Sequence, residues 1–314
     1  MDIEKEIKSA FQAPKQLNKL NHGDSIIQLG SCFSEHISQR LNHSGFDVLS
    51  NPFGVVFHPI PLANQILWAL DTDLYENQIV TKDDVFLHYQ ASSSIYAMSE
   101  DKLKSLFLSN LLNLKEKLQT AKVIFITMGS AHVYKHSEFG IVANCHQQNK
   151  DLFEKQLSEI DHLESVWKNV LDKLKAFNPQ LQVVFTVSPV RYKRDGWIEN
   201  NQSKARLIEL CNRLNDTFFY FPSYEVVIDL LRDYRYFEKD GVHPNEQAVD
   251  VVWSLFQDWF FDLETSKTIQ EINKLRIRSE HKILYPESII ASKFEVETKQ
   301  LIQEFLKKNP KVIW

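Results

Sequence analysis

The sequence predicts an α/β fold in which a parallel sheet lies between two layers of helices. The first observation is that short apolar runs alternate along the chain with amphipathic helical patterns. Strands that alternate with helices are joined by right-handed crossovers and form a parallel sheet. The second is that runs such as VIFITMG and VVFTVSPV are apolar throughout, as expected for strands that helices cover on both faces. With 314 residues the chain is long enough to bury the core that this fold needs.

Three regions are predicted along the chain: an irregular lead-in over 1–24, the α/β domain over 25–262, and a helical extension over 263–314 that packs on the core or on a partner. The predicted strands are Ser25–Leu29, Phe46–Leu49, Lys122–Met128, Gln182–Ser188 and Tyr220–Ile228. The predicted helices are Ser34–Asn42, Leu62–Leu70, Asp101–Gln119, Leu152–Phe177, Lys204–Phe218 and Glu246–Phe261. Residues 129–149 have no helical period and are expected to form an excursion at the carboxyl edge of the sheet. The apolar residues of the extension that are expected to be buried are Leu263, Ile272, Leu275, Ile283, Leu284 and Phe305.

Composition and charge exclude several classes of function. The net charge is −5 and no long basic segment occurs, so nucleic-acid binding is not expected. The start, MDIEKEIKSAF, lacks the apolar core of a secretory signal, and no apolar run is long enough to cross a bilayer. The three cysteines are widely scattered, which argues against a disulfide framework. We expect a cytoplasmic protein without membrane association. No phosphate-binding glycine pattern occurs, and Cys145-His146 has no second pair at zinc spacing, so neither a cofactor nor a metal is expected.

The stretch QLGSCFSEHI, residues 28–37, places a hydroxyl and a thiol where the first strand turns into a helix. In an open parallel sheet ligands bind at the carboxyl ends of strands. A serine there lies near free N–H groups and the positive end of the helix dipole. Ser31 is therefore a candidate nucleophile, although a serine at a helix start is also a common N-cap. Successive helical side chains diverge by about 100°. Only one of Ser31 and Cys32 is therefore expected to face the cleft, and Cys32 is predicted to pack in the core.

A second signal is EKDGVHPNEQAV, residues 238–249. The three-residue spacing of Asp240 and His243 lets the carboxylate reach the imidazole Nδ1 while Nε2 faces outward, as a general base requires. The alternative is a simple turn in which Asn245 caps the last core helix. Together with Ser31, the pair would form a triad in the chain order Ser, Asp, His.

These motifs resemble the GSCFA family, which is distantly similar to the SGNH/GDSL hydrolases. Gly30-Ser31-Cys32-Phe33 matches the signature of the family, and further blocks follow in the family's order: NPFGVVFHP, ITMGSAHVY, NCH, TVSPVR and DGVHPN. The resemblance implies a three-layer α/β/α fold with a flavodoxin-like parallel sheet of SGNH-hydrolase type. It also implies that Ser31 is the nucleophile, with Asp240 and His243 as its partners. The amides of Ser31 and Gly54 would receive the oxyanion.

One block departs from the SGNH pattern, because Gly129-Ser130-Ala131 stands where Gly-x-Asn supplies a side-chain amide donor. Losing one such donor typically lowers the rate by about 100- to 1000-fold. Ser130, His132 or Asn144 is expected to replace this donor. Otherwise the enzyme is slow, or the site only binds its ligand. Two further residues are candidates for substrate contacts: Arg191, which could bind a carboxylate or a phosphate, and His88, which packing could equally explain.

The sequence therefore predicts a serine esterase or acyl hydrolase that uses a Ser-His-Asp triad. The expected substrate is a small-molecule or carbohydrate ester, for which the resemblance makes an O-acetylated sugar plausible. Two alternatives remain open: an SGNH-like binding module with weak or no activity, and an O-acyltransferase with the same triad. The chain could also form a homo-oligomer.

Overall fold

The computed structural model describes residues 3–214 and 218–314. In chain order the elements are α1 (Ile3–Ala10), β1 (Ser25–Gly30), α2 (Cys32–His43), β2 (Asp47–Ser50), α3 (Pro59–Leu70), β3 (Ile79–Lys82), β4 (Val85–His88), β5 (Tyr96–Ala97), α4 (Glu100–Thr120), β6 (Val123–Met128), β7 (His132–His136), β8 (Gly140–Val142), β9 (Phe153–Leu157), α5 (Ile160–Phe177), β10 (Gln182–Val187), α6 (Trp197–Leu214), β11 (Phe219–Tyr220), α7 (Ser223–Glu225), α8 (Glu246–Phe260), α9 (Leu263–Ser279) and α10 (Ile289–Lys308).

The central sheet has five strands in the order β2-β1-β6-β10-β11, and every neighbouring pair is parallel. This is the flavodoxin-like order, in which the chain reverses its direction of travel at β1 and β6. The carboxyl ends of those two strands therefore open a crevice at the switch point, where such sheets bind ligands.

Helices cover both faces of this sheet, so the predicted three-layer α/β/α fold is confirmed. Successive strand side chains point to opposite faces. Ile124 and Ile126 of β6 accordingly lie in the apolar cluster formed with α3, α4, α5 and α6. Val123 and Phe125, from the same strand, lie in the cluster formed with α2 and α8. The continuous apolar run that predicted the strand reflects these two cores.

Four of the five predicted central strands are confirmed, with ends that differ by about one residue. The fifth, Tyr220–Ile228, is wrong beyond Tyr220, because the chain turns into α7 and a π-helical turn over Val226–Leu230. Pro222 explains this difference, since proline has no N–H to donate to a sheet ladder.

Two helix predictions also need correction. The first part of Leu152–Phe177 is strand β9, which pairs with β7, and α5 begins only at Ile160. The helix predicted over Lys204–Phe218 begins earlier, at Trp197, and residues 215–217 near its predicted end lie outside the described chain. Residues 1 and 2 of the lead-in also lie outside the described chain. The rest of the lead-in contains the helix α1, whose Ile7 is buried. The excursion predicted over 129–149 is present as β7 and β8, which form a small antiparallel sheet with β9.

Helices α9 and α10 form the extension that follows the last core helix. Ile272 and Phe305 are buried, as predicted, and Leu275 packs against them. Leu263 and Leu284, by contrast, are 82% and 79% exposed, since one lies in the first turn of α9 and the other in the connection between the two helices. Ile283, in the same connection, is partly exposed. Among the described helices, none has the length and the apolar character that a bilayer crossing requires.

Candidate active site

Ser31 lies at the junction of β1 and α2, and its position is set by the residue before it. Gly30 has φ 133°, and a Cβ there would lie 2.2 Å from the carbonyl oxygen of Thr127 in β6. Only glycine therefore lets β1 approach β6 this closely before the chain turns into the helix. Phe33, two residues further on, is buried in the core and fixes the start of α2 from the other side.

The side chain of Ser31 does not cap the helix. Ser31 occupies the N-cap position of α2 with extended φ and ψ, yet its hydroxyl makes no capping hydrogen bond. The residue is 4% exposed, and Oγ is buried without a hydrogen-bond partner in the part of the chain that the structure describes. A buried hydroxyl without a partner destabilises the fold by about 1–3 kcal/mol, so the N-cap alternative does not account for this serine.

Ser31 lines a cavity of about 810 Å³ at the carboxyl edge of the central sheet. The walls come from the loops that follow β1, β2, β6 and β10 and from the loop before α8. The lining residues are Ser31, Cys32, Val55, Phe57, Gly129, Ser188, Val190, Arg191, Tyr192, Lys193, Arg194, Lys239, Asp240, Val242 and His243. The structure therefore brings the three residues of the predicted triad to one cavity.

Asp240 and His243 form a hydrogen-bonded pair on the loop before α8. Oδ2 of Asp240 lies 2.7 Å from Nδ1 of His243, while Oδ1 accepts the amides of Val242 and His243 at 2.8 and 3.1 Å. The bond from His243, with these two amides, lowers the pKa of Asp240 to about 2. With the proton on Nδ1, Nε2 is left as an acceptor. Asn245 also caps α8, so the turn interpretation and the Asp240–His243 pair are both correct.

Ser31 and His243 are not hydrogen bonded to each other, since Oγ of Ser31 has no partner among the described residues. Ser31 lies at the nearly inaccessible floor of the cavity, whereas the side chain of His243 is 46% exposed at its rim. Catalytic hydrogen bonds are often long in unliganded proteins and tighten only around substrate. The direct contact expected from the motif is therefore absent from this structure, although both residues line one cavity.

The two backbone donors expected for an oxyanion are already engaged. The amide of Ser31 donates to the carbonyl of Thr127 at 3.0 Å, which extends the ladder between β1 and β6. The amide of Gly54 closes a turn on the carbonyl of Asn51 at 2.8 Å. The predicted oxyanion role of these two amides therefore needs correction. The next amide, that of Cys32, is the first of α2 and has no intrahelical acceptor, and Cys32 lines the cavity.

None of the three candidates for the missing asparagine lines the Ser31 cavity. Ser130 is buried and bonds to Ser203 and to the backbone at the start of β7. Both ring nitrogens of His132 are buried without a partner in the described chain. Asn144 lines a second cavity of about 540 Å³, which shares Arg194 with the first.

His88 is a core residue, so its predicted substrate contact is wrong. It is completely buried, its ring stacks on Phe107 with centroids 4.1 Å apart, and Nδ1 accepts the amide of Gln90. Burial lowers its pKa to about 4, which keeps the ring neutral. Arg191, by contrast, lines the cavity as the sequence predicts.

The prediction for Cys32 is also wrong, because this residue lines the cavity beside Ser31 and is not enclosed in the core. Burial raises the pKa of its thiol, with a smaller contribution from Glu35. Since the thiolate is the nucleophilic form, this shift disfavours Cys32 as the nucleophile.

Burial likewise raises the pKa of Cys145 to about 11. In the described chain, no group of three or more His, Cys, Asp or Glu side chains is arranged to hold a metal ion.

One residue of the site, Lys204, was missed by sequence analysis. Its ammonium, on α6, is 2% exposed and donates to the carbonyl oxygens of Gly129 and Ser188 at 2.6 and 2.7 Å, both of which belong to cavity-lining residues. Burial lowers its pKa to about 7. The available signal was helical spacing, because Lys204 shares the apolar face of α6 with Leu207 and Cys211.

Fold and cavity together define an α/β protein with a flavodoxin-like sheet and a serine, an aspartate and a histidine around one cavity at its carboxyl edge. The chain belongs to the GSCFA family, whose model matches residues 25–256. No curated protein matched the sequence.

Two solved structures are similar over most of the chain. One is from Parabacteroides merdae and is described as a GDSL-like lipase. It is 11% identical, with a TM-score of 0.38, covering 81% of this chain and 100% of the other. The second is a carbohydrate esterase of family 3 from Talaromyces cellulolyticus, 10% identical with a TM-score of 0.35, covering 80% of this chain and 99% of the other. At such low scores, neither likeness is evidence for a shared activity.

Proposed function

We propose that this protein is a serine hydrolase that cleaves an ester by a Ser-His-Asp mechanism. The observation that carries the proposal is the meeting, in one cavity, of a buried Ser31 hydroxyl without a partner and the hydrogen-bonded pair Asp240–His243. Their meeting at the switch point of the sheet is what a nucleophile and its base require.

In the first half of the reaction Ser31 Oγ attacks the carbonyl carbon of the ester while its proton passes to Nε2 of His243. The imidazolium then gives that proton to the leaving alcohol, and an acyl-serine remains. In the second half a water molecule attacks the acyl group, His243 again takes and returns the proton, and the free acid leaves. Asp240 holds the imidazole in the required tautomer and stabilises its charged form.

The oxyanion is assigned to the amide of Cys32, because the amides of Ser31 and Gly54 already have acceptors. This amide follows the nucleophile directly and lies at the positive end of the α2 dipole. The buried ammonium of Lys204 adds positive potential from below the strand ends that carry Gly129 and Ser188. In a site of low polarity such a charge acts more strongly than it would in water.

We propose a carboxylic ester of a small molecule or a sugar as the substrate, with an O-acetyl group as the first case to test. The engaged amides and the missing asparagine favour one other function, a binding module that keeps the cavity without turnover. An O-acyltransferase would use the same acyl-serine and pass the acyl group to another hydroxyl in place of water.

Labelling with a fluorophosphonate probe tests the proposal directly, because the probe reacts with activated serines. We expect mass spectrometry to find one adduct, on Ser31, which Ser31→Ala removes and Ser94→Ala, an exposed serine, leaves intact. The absence of labelling in folded protein would support the binding module. Labelling together with acyl transfer to added alcohols, but not to water, would support the acyltransferase.

A further inference from the structure

The mouth of the Ser31 cavity is positively charged in a protein of net charge −5. Four basic residues line this cavity: Arg191, Lys193, Arg194 and Lys239. None of the four forms an ion pair with a described carboxylate. The one acidic residue in the lining, Asp240, is held by His243. Cations that remain unpaired around a cleft focus a positive potential on it and attract anionic ligands.

Arg191 is the one of these four cations that lies over aromatic rings in the described part of the chain. Its guanidinium lies 4.4 Å from the ring centroid of Phe237, with Tyr234 and Trp197 at 5.5 and 6.0 Å. Its amide donates to the carbonyl of Val242 at 3.2 Å, which ties the loop after β10 to the loop that carries His243. The side-chain N–H groups of Arg191 have no acceptor among the described residues, so they are free to bind an anion.

We infer that the substrate carries an anionic group, a carboxylate or a phosphate, which the N–H edge of Arg191 binds while the ester lies at Ser31. The inference rests on the proposed hydrolase function and specifies its substrate class. A guanidinium matches the two oxygens of either group with parallel hydrogen bonds. Because Arg191, Ser31 and His243 line one cavity, the anion and the scissile ester belong to the same molecule.

The test compares acetyl esters of glucose derivatives in which the group at C6 is neutral, in acetylated methyl glucoside, or anionic, in acetylated glucuronic acid and acetylated glucose 6-phosphate. We expect the wild-type kcat/KM to be at least about 10-fold higher for one of the anionic esters, since a hydrogen bond to a charged group contributes about 1.5–3 kcal/mol. Arg191→Gln should reduce the anionic-to-neutral ratio by about 10- to 100-fold, and Arg191→Lys should restore part of it. The glucuronate and phosphate arms decide which anion is recognised.

Arg235→Gln is the matched control, because Arg235 also lies over an aromatic ring, that of Tyr236, but outside the cavity, and it should leave the ratio unchanged. Equal kcat/KM values for neutral and anionic esters, or an unchanged ratio in Arg191→Gln, would overturn the inference while leaving the hydrolase intact. If no ester is turned over, calorimetric binding of acetylated glucuronate and glucose 6-phosphate decides. Binding that Arg191→Gln abolishes supports the anion site without the hydrolase, and no binding rejects it.

Discussion

Asp240 receives three hydrogen bonds from within its own turn, and the one from the imidazole Nδ1 of His243, at 2.7 Å, leaves Nε2 as an acceptor on a residue that lines the cavity. The two backbone bonds to Oδ1 hold the carboxylate in place whether or not the imidazole is present. The turn thus separates two tasks, since one oxygen shapes the loop and the other orients the base.

Asp240→Asn should lower kcat by about 100- to 10,000-fold, because an amide can no longer select the imidazole tautomer that accepts from serine. The amide oxygen keeps the two backbone bonds, so the thermal unfolding temperature should change little. Asp233→Asn is the control, because the Oδ1 of Asp233 accepts the Arg235 amide in a similar turn outside the cavity. Equal turnover by the two variants in a steady-state assay would remove Asp240 from the mechanism.

Substitutions at Cys32 separate its thiol from its amide. Cys32→Ala keeps the N–H and should keep most of the activity. Cys32→Pro removes the N–H and should lower kcat by about 100- to 1000-fold. Proline is tolerated at the first position of a helix, and the extended backbone of Ser31 suits a residue before proline. Circular dichroism should confirm that the variant is folded, and full activity in folded Cys32→Pro would refute the assigned donor.

Ser31→Ala should abolish turnover of every ester and remove a hydroxyl that has no partner, so stability should be kept or slightly raised. Cys32→Ala should do the opposite, since it should lower stability slightly through lost packing and retain activity. Turnover by folded Ser31→Ala, together with an inactive Cys32→Ala, would identify the thiol as the nucleophile.

Lys204 should make the free energy of unfolding depend on pH in a predictable direction. Burial lowers its pKa to about 7 from the ordinary 10.5, so between these values the unfolded chain binds more protons than the folded one. The stability contributed by this group therefore rises as the pH rises through that window, and the buried charge is most costly below it. The free energy of unfolding of Lys204→Met should therefore increase relative to that of the wild type as the pH falls from about 10 to 7.

Urea unfolding of both proteins at several pH values measures this difference. Lys173→Met, at an exposed lysine on α5, shows the effect of merely removing one positive charge. A stability difference between Lys204→Met and wild type that is constant with pH would contradict the burial of a titrating amine. Activity adds a second readout, because loss of the buried charge should lower kcat more than it changes KM.

The helices after residue 262 should be part of the folded unit. Ile272 is fully buried, and its substitution by alanine should reduce stability by about 2–5 kcal/mol. Leu284→Ala, at a position 79% exposed, should stay within about 0.5 kcal/mol of wild type. Deleting 263–314 should cause aggregation or unfolding, since Ile269 belongs to one of the two main cores. A truncated chain that stays folded and loses only activity would instead identify the segment as part of the substrate site.

The features that local pattern determines could be predicted from the sequence. The central strands follow from continuous apolar runs, and the Asp240–His243 pair follows from a three-residue spacing. The occupied amides could not be found in this way, because the acceptor of the Ser31 amide, Thr127, is set by the register of β1 on β6. Strand β9, FEKQL, was missed because a short and mostly polar segment directly before a helix has no apolar period of its own to distinguish it.

The close approach of Gly30 to Thr127 has a practical consequence for altering substrate choice. Backbone packing of two central strands fixes the location of Ser31, whereas Arg191, Lys193, Arg194 and Lys239 stand on two loops that come from other parts of the chain. A mutant library confined to those loops can exchange the recognised ligand while the reacting hydroxyl stays in register. A library that includes position 30 would mostly yield misfolded chains.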